Sequence, residues 1–252
     1  MSVWQALAIV AAGLMAGMIN TVVGSGTLIT FPVLLAFGYP PVTANVSNTI
    51  GLVPGSLTGA IGYRRELAGQ RERVLRLGSA SLAGGICGAV LLLTLPPGAF
   101  AAIVPALIGI ALVLVIVQPW LAGKLRDRQL KPGQHGGALL WLGIFATGVY
   151  GGYFGAAQGV LLLGLMGILM AEPLQRVNGV KNVLAMVVNA VAGVFFAFAA
   201  HVDWLAALLI AVGAVLGGVL GAKVGRKLPP VALRAVIVVV GVAAIVKLLA
   251  FS

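Results

Sequence analysis

Polar residues suited to anion binding lie inside a long apolar stretch near the start of the chain, GMINTVVGSGTLITFPVLLAFG, from Gly17 to Gly38. A helix that begins after the glycines would present free backbone N–H groups and the positive end of its dipole. Hydroxyl and amide side chains would add neutral donors. The site residues predicted for this first break are Asn20, Thr21, Gly24, Ser25, Gly26 and Thr27.

A second copy of the pattern, GVYGGYFGAAQGVLLLGLMGIL, occupies Gly148 to Leu169. Its amide side chain can donate where the first copy has hydroxyls. The site residues predicted for this second break are Gly155, Gln158 and Gly159. The repeated unit indicates the substrate site of a membrane transporter.

Each break is followed by a helix with a polar face. The first face holds Asn45, Asn48, Leu52, Ser56 and Gly59 with Ser47 beside it, and the second holds Asn178, Asn182, Ala185 and Asn189 with Lys181 adjoining. Such residues are costly at membrane depth unless they face a cavity or a partner helix. Two such faces meeting at a pseudo-symmetry axis would line a polar, weakly cationic cavity. Ser47, Asn48, Asn178, Lys181, Asn182 and Asn189 are therefore predicted to bind substrate.

Lys181 is predicted to be the fixed positive charge of this site. The alternative is that it snorkels to the cytoplasmic headgroups beside Arg176, because it follows that loop closely. The glycine breaks have an alternative of their own. Glycines also permit close helix packing, and hydroxyls also bond to the backbone one turn back.

Signals of an enzyme are weak. The chain has five acidic residues and lacks an HExxH or Walker A sequence. Ser25 with His201 as base is the one hydrolase arrangement to consider. It fails because His201 falls at a predicted outer loop edge and the second break has no serine. We expect no catalysis, no metal and no cofactor.

Composition places the chain among polytopic helical membrane proteins. Of 252 residues, 61% are hydrophobic and 8% charged, and the mean hydropathy is +1.13. The ten apolar segments are Trp4 to Val22, Thr27 to Phe37, Val42 to Gly62, Leu77 to Leu95, Phe100 to Leu121, Leu139 to Phe154, Val160 to Met170, Val177 to Ala200, Trp204 to Ala222 and Val231 to Ala250. Thr27 to Phe37 and Val160 to Met170 are too short to span and predict half-helices or re-entrant elements.

The net charge of +11 comes from basic residues in the loops between apolar segments, a pattern that marks cytoplasmic loops rather than a nucleic-acid surface. The loop from Arg64 to Arg76 is strongly basic, whereas its counterpart HVDW, His201 to Trp204, has no lysine or arginine. AGGICGA at Ala83 to Ala89 also matches LGGVLGA at Leu216 to Ala222, at an offset of 133 residues. With five segments in each half, we predict two inverted repeats.

The predicted organisation is a first transmembrane repeat over 1–121, a cytoplasmic linker over 122–137 that contains His135, and a second repeat over 138–252. The fold class is all-α, with half-helices at the centre of each repeat. The apolar N-terminus lacks a basic region before it, so we expect no removed signal peptide. Cys87 is expected to be a small packing residue inside an apolar helix.

These elements together resemble the TauE/SafE family of sulfite and organosulfonate exporters. The matching parts are GMINTVVGSGTLITFP, then SNTIGLVPGSLTGAIGYRREL with its Arg-rich loop, and in the second half GVYGGYFGAAQG, VKNV and HVDW. The resemblance covers nearly the whole chain. One departure is that Ser47, Asn48 and Thr49 stand where many members have Thr-Asn-Lys, so that a lysine remains in one face of the two.

The resemblance implies export of a small sulfur-containing anion, such as sulfite, a sulfonate or thiosulfate, across the cytoplasmic membrane by alternating access. A passive small-anion channel is the alternative. The expected partners are the small anionic substrate and the lipid bilayer, with a homodimer as an open alternative, and no nucleic acid.

Overall fold

Ten helices make up the secondary structure of the described residues in a computed structural model, which are 1–126, 137–170, 172–224 and 230–250. They are α1 (Val3–Val22), α2 (Thr27–Ala36), α3 (Pro41–Gly62), α4 (Arg71–Thr94), α5 (Pro97–Arg126), α6 (Gly137–Tyr153), α7 (Gln158–Leu169), α8 (Leu174–Ala199), α9 (Trp204–Val224) and α10 (Pro230–Ala250). Each corresponds to one of the ten apolar segments. The predicted all-α fold is confirmed.

Several helices are long and apolar enough to cross a membrane. By length and composition these are Val3–Val22, Arg71–Thr94, Gly98–Trp120, Leu174–Ala199 and Trp204–Lys223. Large apolar side chains such as Trp4 and Phe198 are exposed on the outer surface, as expected where lipid is the solvent. The chain is a multi-pass membrane protein.

The two short helices follow the glycine breaks, as predicted. α2 has 10 residues and α7 has 12, so each covers about half of a hydrocarbon core that is roughly 30 Å thick. The polar-faced helices come next, and both begin after a proline. Pro40 and Pro173, which precede α3 and α8, have nearly equal backbone angles and lie 133 residues apart, the offset found in the sequence.

Small residues let α9 pack closely on α1, and α4 on α6. A methyl group added at Gly217 would lie 1.9 Å from Leu14 O, and one added at Gly84 would lie 2.3 Å from Phe145 O. The same pairing of elements therefore recurs when the two halves are exchanged. α3 packs on α9 and α4 on α8 in the same way.

α3 and α8 pack against each other and run in opposite directions. Ser56 of α3 bonds to Asn189 of α8, whereas Tyr63, just after α3, bonds to Asn178 near the start of α8. Residue numbers thus rise along one helix as they fall along the other. This places the two polar faces in contact across the middle of the molecule.

Some predictions about the basic and small residues are wrong. Arg71, Arg73 and Arg76 lie in the first turns of α4 and not in a loop, because arginine is a good helix former and its long side chain reaches the interface. Cys87 is exposed on α4 and does not pack in the interior. α5 continues to Arg126, which is within the predicted linker. Residues 127–136 of that linker, including His135, lie outside the described residues, and its last residue, Gly137, begins α6.

Candidate functional site

Both glycine breaks end the helix that precedes them with the same backbone structure. Gly24 and Gly155 adopt positive φ angles of 88° and 78°. The N–H groups of Val23 and Gly24 both donate to Ile19 O, and those of Phe154 and Gly155 both donate to Tyr150 O. A left-handed residue reverses the chain direction at little steric cost only when it is glycine. The breaks therefore end α1 and α6 in equivalent ways.

The two breaks meet in the interior. Gly159 N donates to Gly24 O over 3.0 Å. A methyl group added at either glycine would lie 2.4 Å from the Cα atom of the other. We call this contact, together with the N-terminal ends of α2 and α7, the crossing. The aromatic rings of Phe31 and Phe154, 5.2 Å apart edge to face, lie among the buried apolar residues beside it.

Donors without partners collect at the crossing. The backbone N–H groups of Ser25 and Gly26, and of Ala156 and Ala157, donate no hydrogen bond to any other described residue. All four residues are buried. The Ser25 Oγ and Gln158 Nε2 atoms are likewise buried and without a hydrogen-bond partner in this part of the chain. Buried N–H groups are rarely left unpaired in proteins, so this arrangement is suited to a ligand that accepts hydrogen bonds.

The first turn of α2 is joined to the polar face of α3. Asn48 Nδ2 donates to Thr27 Oγ1 over 3.3 Å, and Thr30 Oγ1 donates to Asn48 Oδ1. The predicted site residues Gly24, Ser25, Gly26, Thr27, Asn48, Gly155, Gln158 and Gly159 are thus brought to one region. Thr30 was not predicted, although it lies one helical turn beyond Thr27.

Lys181 is fully buried and bonds to the C-terminal end of α1. Its Nζ atom donates to Asn20 O over 2.9 Å and to Thr21 O over 3.1 Å, and Asn182 Nδ2 donates to Thr21 O over 3.3 Å. The last carbonyls of a helix lack intrahelical partners, and a cation there is favourable for the dipole. Lys181 therefore caps α1, and the snorkelling alternative is wrong.

The C-terminal end of α6, at the second break, is capped by a residue of the first half. Asn45 Nδ2 donates to Tyr153 O, the last residue of α6, over 3.0 Å. α3 and α8 thus each donate hydrogen bonds to the C-terminal end of the helix that precedes the break in the other half. Asn45 lies on the predicted polar face, but it was not among the predicted site residues. Its equivalence to Asn178 at the offset of 133 was the available signal.

The remaining predicted residues have structural partners farther along the helices. Asn189 Nδ2 and Asn20 Nδ2 both donate to Ser56 Oγ, over 3.2 and 3.4 Å. Asn178 Nδ2 donates to the Tyr63 hydroxyl over 2.8 Å. Ser47 Oγ accepts a hydrogen bond from Asp203 N over 2.9 Å, at the start of α9. These contacts join helices to one another, and none of them involves an unpaired donor of the crossing.

An ion-pair cluster lies near the basic end of the molecule. Glu172 bonds to Arg73 at 2.9 Å and to Arg176 at 2.8 Å, which joins the start of α4 to the start of α8. Partial burial of the Glu172 carboxyl raises its pKa, but hydrogen bonds and charges from both arginines outweigh burial. The net pKa is lowered from the ordinary value of 4.5.

Comparisons with known proteins find relatives over nearly the whole chain. A family model described as "Sulfite exporter TauE/SafE" matches residues 9–248. "Probable membrane transporter protein ORF9" of Sinorhizobium sp is 29% identical over 95% of this chain and 90% of its own length. "Probable membrane transporter protein YfcA" of Escherichia coli K12 is 25% identical, with 94% of this chain and 86% of that protein covered. No solved structure matches.

Proposed function

The chain belongs to the TauE/SafE family of membrane transporters, and we propose that it exports a small sulfur-containing anion across the cytoplasmic membrane. The substrate class is that of sulfite, sulfonates and thiosulfate. The family description, which names sulfite, supports this class. The substrate would bind at the crossing.

The observation that carries the proposal is the set of unpaired donors at the crossing. Four buried backbone N–H groups, the Ser25 hydroxyl and the Gln158 amide have no acceptor among the described residues. An oxyanion of sulfur has several acceptor oxygens on one small centre and could accept from more than one of these groups. The positive ends of α2 and α7 would add to the attraction.

Alternating access is the mechanism that the packing supports. The opposite directions of α3 and α8, and the recurrence of helix pairs between the halves, are consistent with inverted repeats. The backbone contact between Gly24 and Gly159 leaves no open path for an anion between these two glycines in this conformation. This favours a carrier, whose halves must move for the anion to pass, over a channel that stays open.

The test is anion flux into proteoliposomes containing the full chain, with sulfite, thiosulfate, sulfoacetate, formate and chloride. Saturable flux of a sulfur anion is expected. Ser25→Ala and Gln158→Leu should each raise the half-saturation concentration about tenfold or more, because a hydrogen bond to a charged group contributes about 1.5 to 3 kcal/mol.

Ser81→Ala is the matched control. Ser81 is also fully buried and its hydroxyl also lacks a partner among the described residues, but it lies in α4, away from both breaks. Its flux should be unchanged. Equal effects of Ser25→Ala and Ser81→Ala would show that the substrate does not bind at the crossing. Flux that does not saturate would favour the channel.

A further inference from the structure

Few charged side chains are buried in the described part of this protein. Among the buried side chains of the described residues, Lys181 alone is charged. Its ammonium group bonds to Asn20 O and Thr21 O. Asn20 is adjacent to the crossing, since a methyl group at Gly26 would lie 3.1 Å from Asn20 Cβ. The charge of Lys181 therefore acts close to the unpaired donors.

The helix ends near the crossing add no net charge. α1 and α6 end there, and each contributes a partial negative charge of about half a unit, whereas α2 and α7 begin there with partial positive charges of similar size. The two positive and two negative ends offset one another. What remains is the single charge of the Lys181 ammonium.

We infer that the crossing accepts a singly charged oxyanion and discriminates against a doubly charged one. This inference rests on the proposed function and narrows its substrate class. The desolvation penalty of an ion rises with the square of its charge, and an uncompensated charge in the interior is strongly unfavourable. One ammonium compensates one negative charge, so a dianion would leave a negative charge buried without a counter-ion.

A second cation at position 48 would change the number of negative charges that the protein can compensate. The offset of 133 residues that relates Pro40 to Pro173 and Asn45 to Asn178 also relates Asn48 to Lys181. Asn48 bonds to Thr27 and Thr30 at the first turn of α2. A neutral amide side chain thus stands in one half at the sequence position that the lysine has in the other. The geometry assigns residue 48 a part in charge selectivity.

The experiment compares three probes of similar shape and different fixed charge as inhibitors of sulfite flux at one pH. Methanesulfonate carries one negative charge, sulfate carries two, and dimethyl sulfone carries none. Methanesulfonate should inhibit at a concentration lower by about tenfold or more than sulfate does, since sulfate would leave one buried charge without a counter-ion. Dimethyl sulfone should not inhibit.

Asn48→Lys is the variant that should reverse the preference, with Asn48→Gln as its neutral control. Sulfate should inhibit Asn48→Lys about tenfold more strongly than it inhibits the unmodified chain. Should Asn48→Lys fail to fold, the probe comparison on the unmodified chain decides alone. Equal inhibition by methanesulfonate and sulfate, or inhibition by neither, overturns the charge limit. Absence of flux for every anion would instead contradict the proposed function.

Discussion

Glycine at position 24 meets two separate requirements, a left-handed backbone and close contact with the other break. Its φ is +88°, and a methyl group there would lie 2.4 Å from Gly159 Cα. Gly38 has nearly the same φ, +85°, but a methyl group there would meet no atom within 4 Å. Gly38 thus needs a left-handed backbone but has no close contact that a side chain would disturb.

We predict that Gly38→Ala loses about 1 to 2 kcal/mol of stability, which is the strain of a left-handed alanine, and keeps its flux. Gly24→Ala has the same strain and must also separate the two breaks. It should be more destabilised than Gly38→Ala and should lose transport. Thermal unfolding in detergent and sulfite flux in proteoliposomes measure the two effects. Similar flux in both variants would mean that the contact between the breaks is dispensable.

At the level of residues, the sequence predicted which side chains are buried but not what each one contacts. A lysine within an apolar helix of this kind must have a partner, because an unpaired charge there is costly. The sequence allowed that partner to be substrate or headgroups, and the structure shows two carbonyls of α1. Carbonyl caps cannot be predicted from composition, because every residue has a carbonyl. The unpaired N–H groups of Ala156 and Ala157 were missed for the same reason.

At the level of elements, all ten helices could be predicted from the lengths of the apolar segments and from the glycines or prolines between them. The breaks were visible because an apolar run of about ten residues cannot span a membrane. The start of α4 was not visible, because the run Arg71 to Arg76 resembles a loop when hydropathy is the criterion. Helices that extend beyond the membrane keep their backbone hydrogen bonds but lose the apolar pattern.

The cluster around Glu172 joins the starts of two helices from different halves. We predict that Glu172→Gln lowers the stability by about 1 kcal/mol, or about 2 to 4 °C in melting temperature, because the paired groups are partly exposed and screened by solvent. Glu72→Gln is the matched control, since Glu72 lies in the first turn of α4 and is exposed.

The same prediction has a defined pH dependence. Because the pKa of Glu172 is lowered in the folded protein, its pairs stabilise the fold above the ordinary value of 4.5, and this contribution is lost as the pH falls through the lowered pKa. The difference in stability between the unmodified chain and Glu172→Gln should therefore have its full size at neutral pH and disappear in acid. A difference that persists unchanged well below pH 4.5 would show that the ion pairs are not its source.

For the whole molecule, the order of the helices could be predicted but their partners could not. The sequence showed the duplication, and nothing in it indicated that α9 packs on α1 and α3. Gly213, Gly217 and Gly221, at every fourth position of α9, allow another helix to approach closely. Which helix does so depends on how the two halves fit together, and this is decided by interactions far apart in the chain.

The two ends of α3 provide a test of the predicted orientation. The segment that follows its C-terminal end contains Ala68, and Ser47 near its other end contacts the segment that contains His201 and Asp203. A helix of 22 residues is about 33 Å long, enough to separate these segments across a membrane. The basic residues around Ala68 predict that this end lies in the cytoplasm.

We predict that a cysteine at position 68 reacts with thiol reagents only after they enter the cell, and that one at position 201 reacts from outside. Ala68 and His201 are both exposed, and neither has a left-handed backbone that a cysteine would strain, as Gly69 does. The background is Cys87→Ser, because Cys87 is exposed and would add a signal of its own. Membrane-permeant and impermeant maleimides applied to intact cells distinguish the sides. Labelling of both positions from the same side would exclude opposite orientations of the two halves, and with them the alternating-access scheme based on inverted repeats.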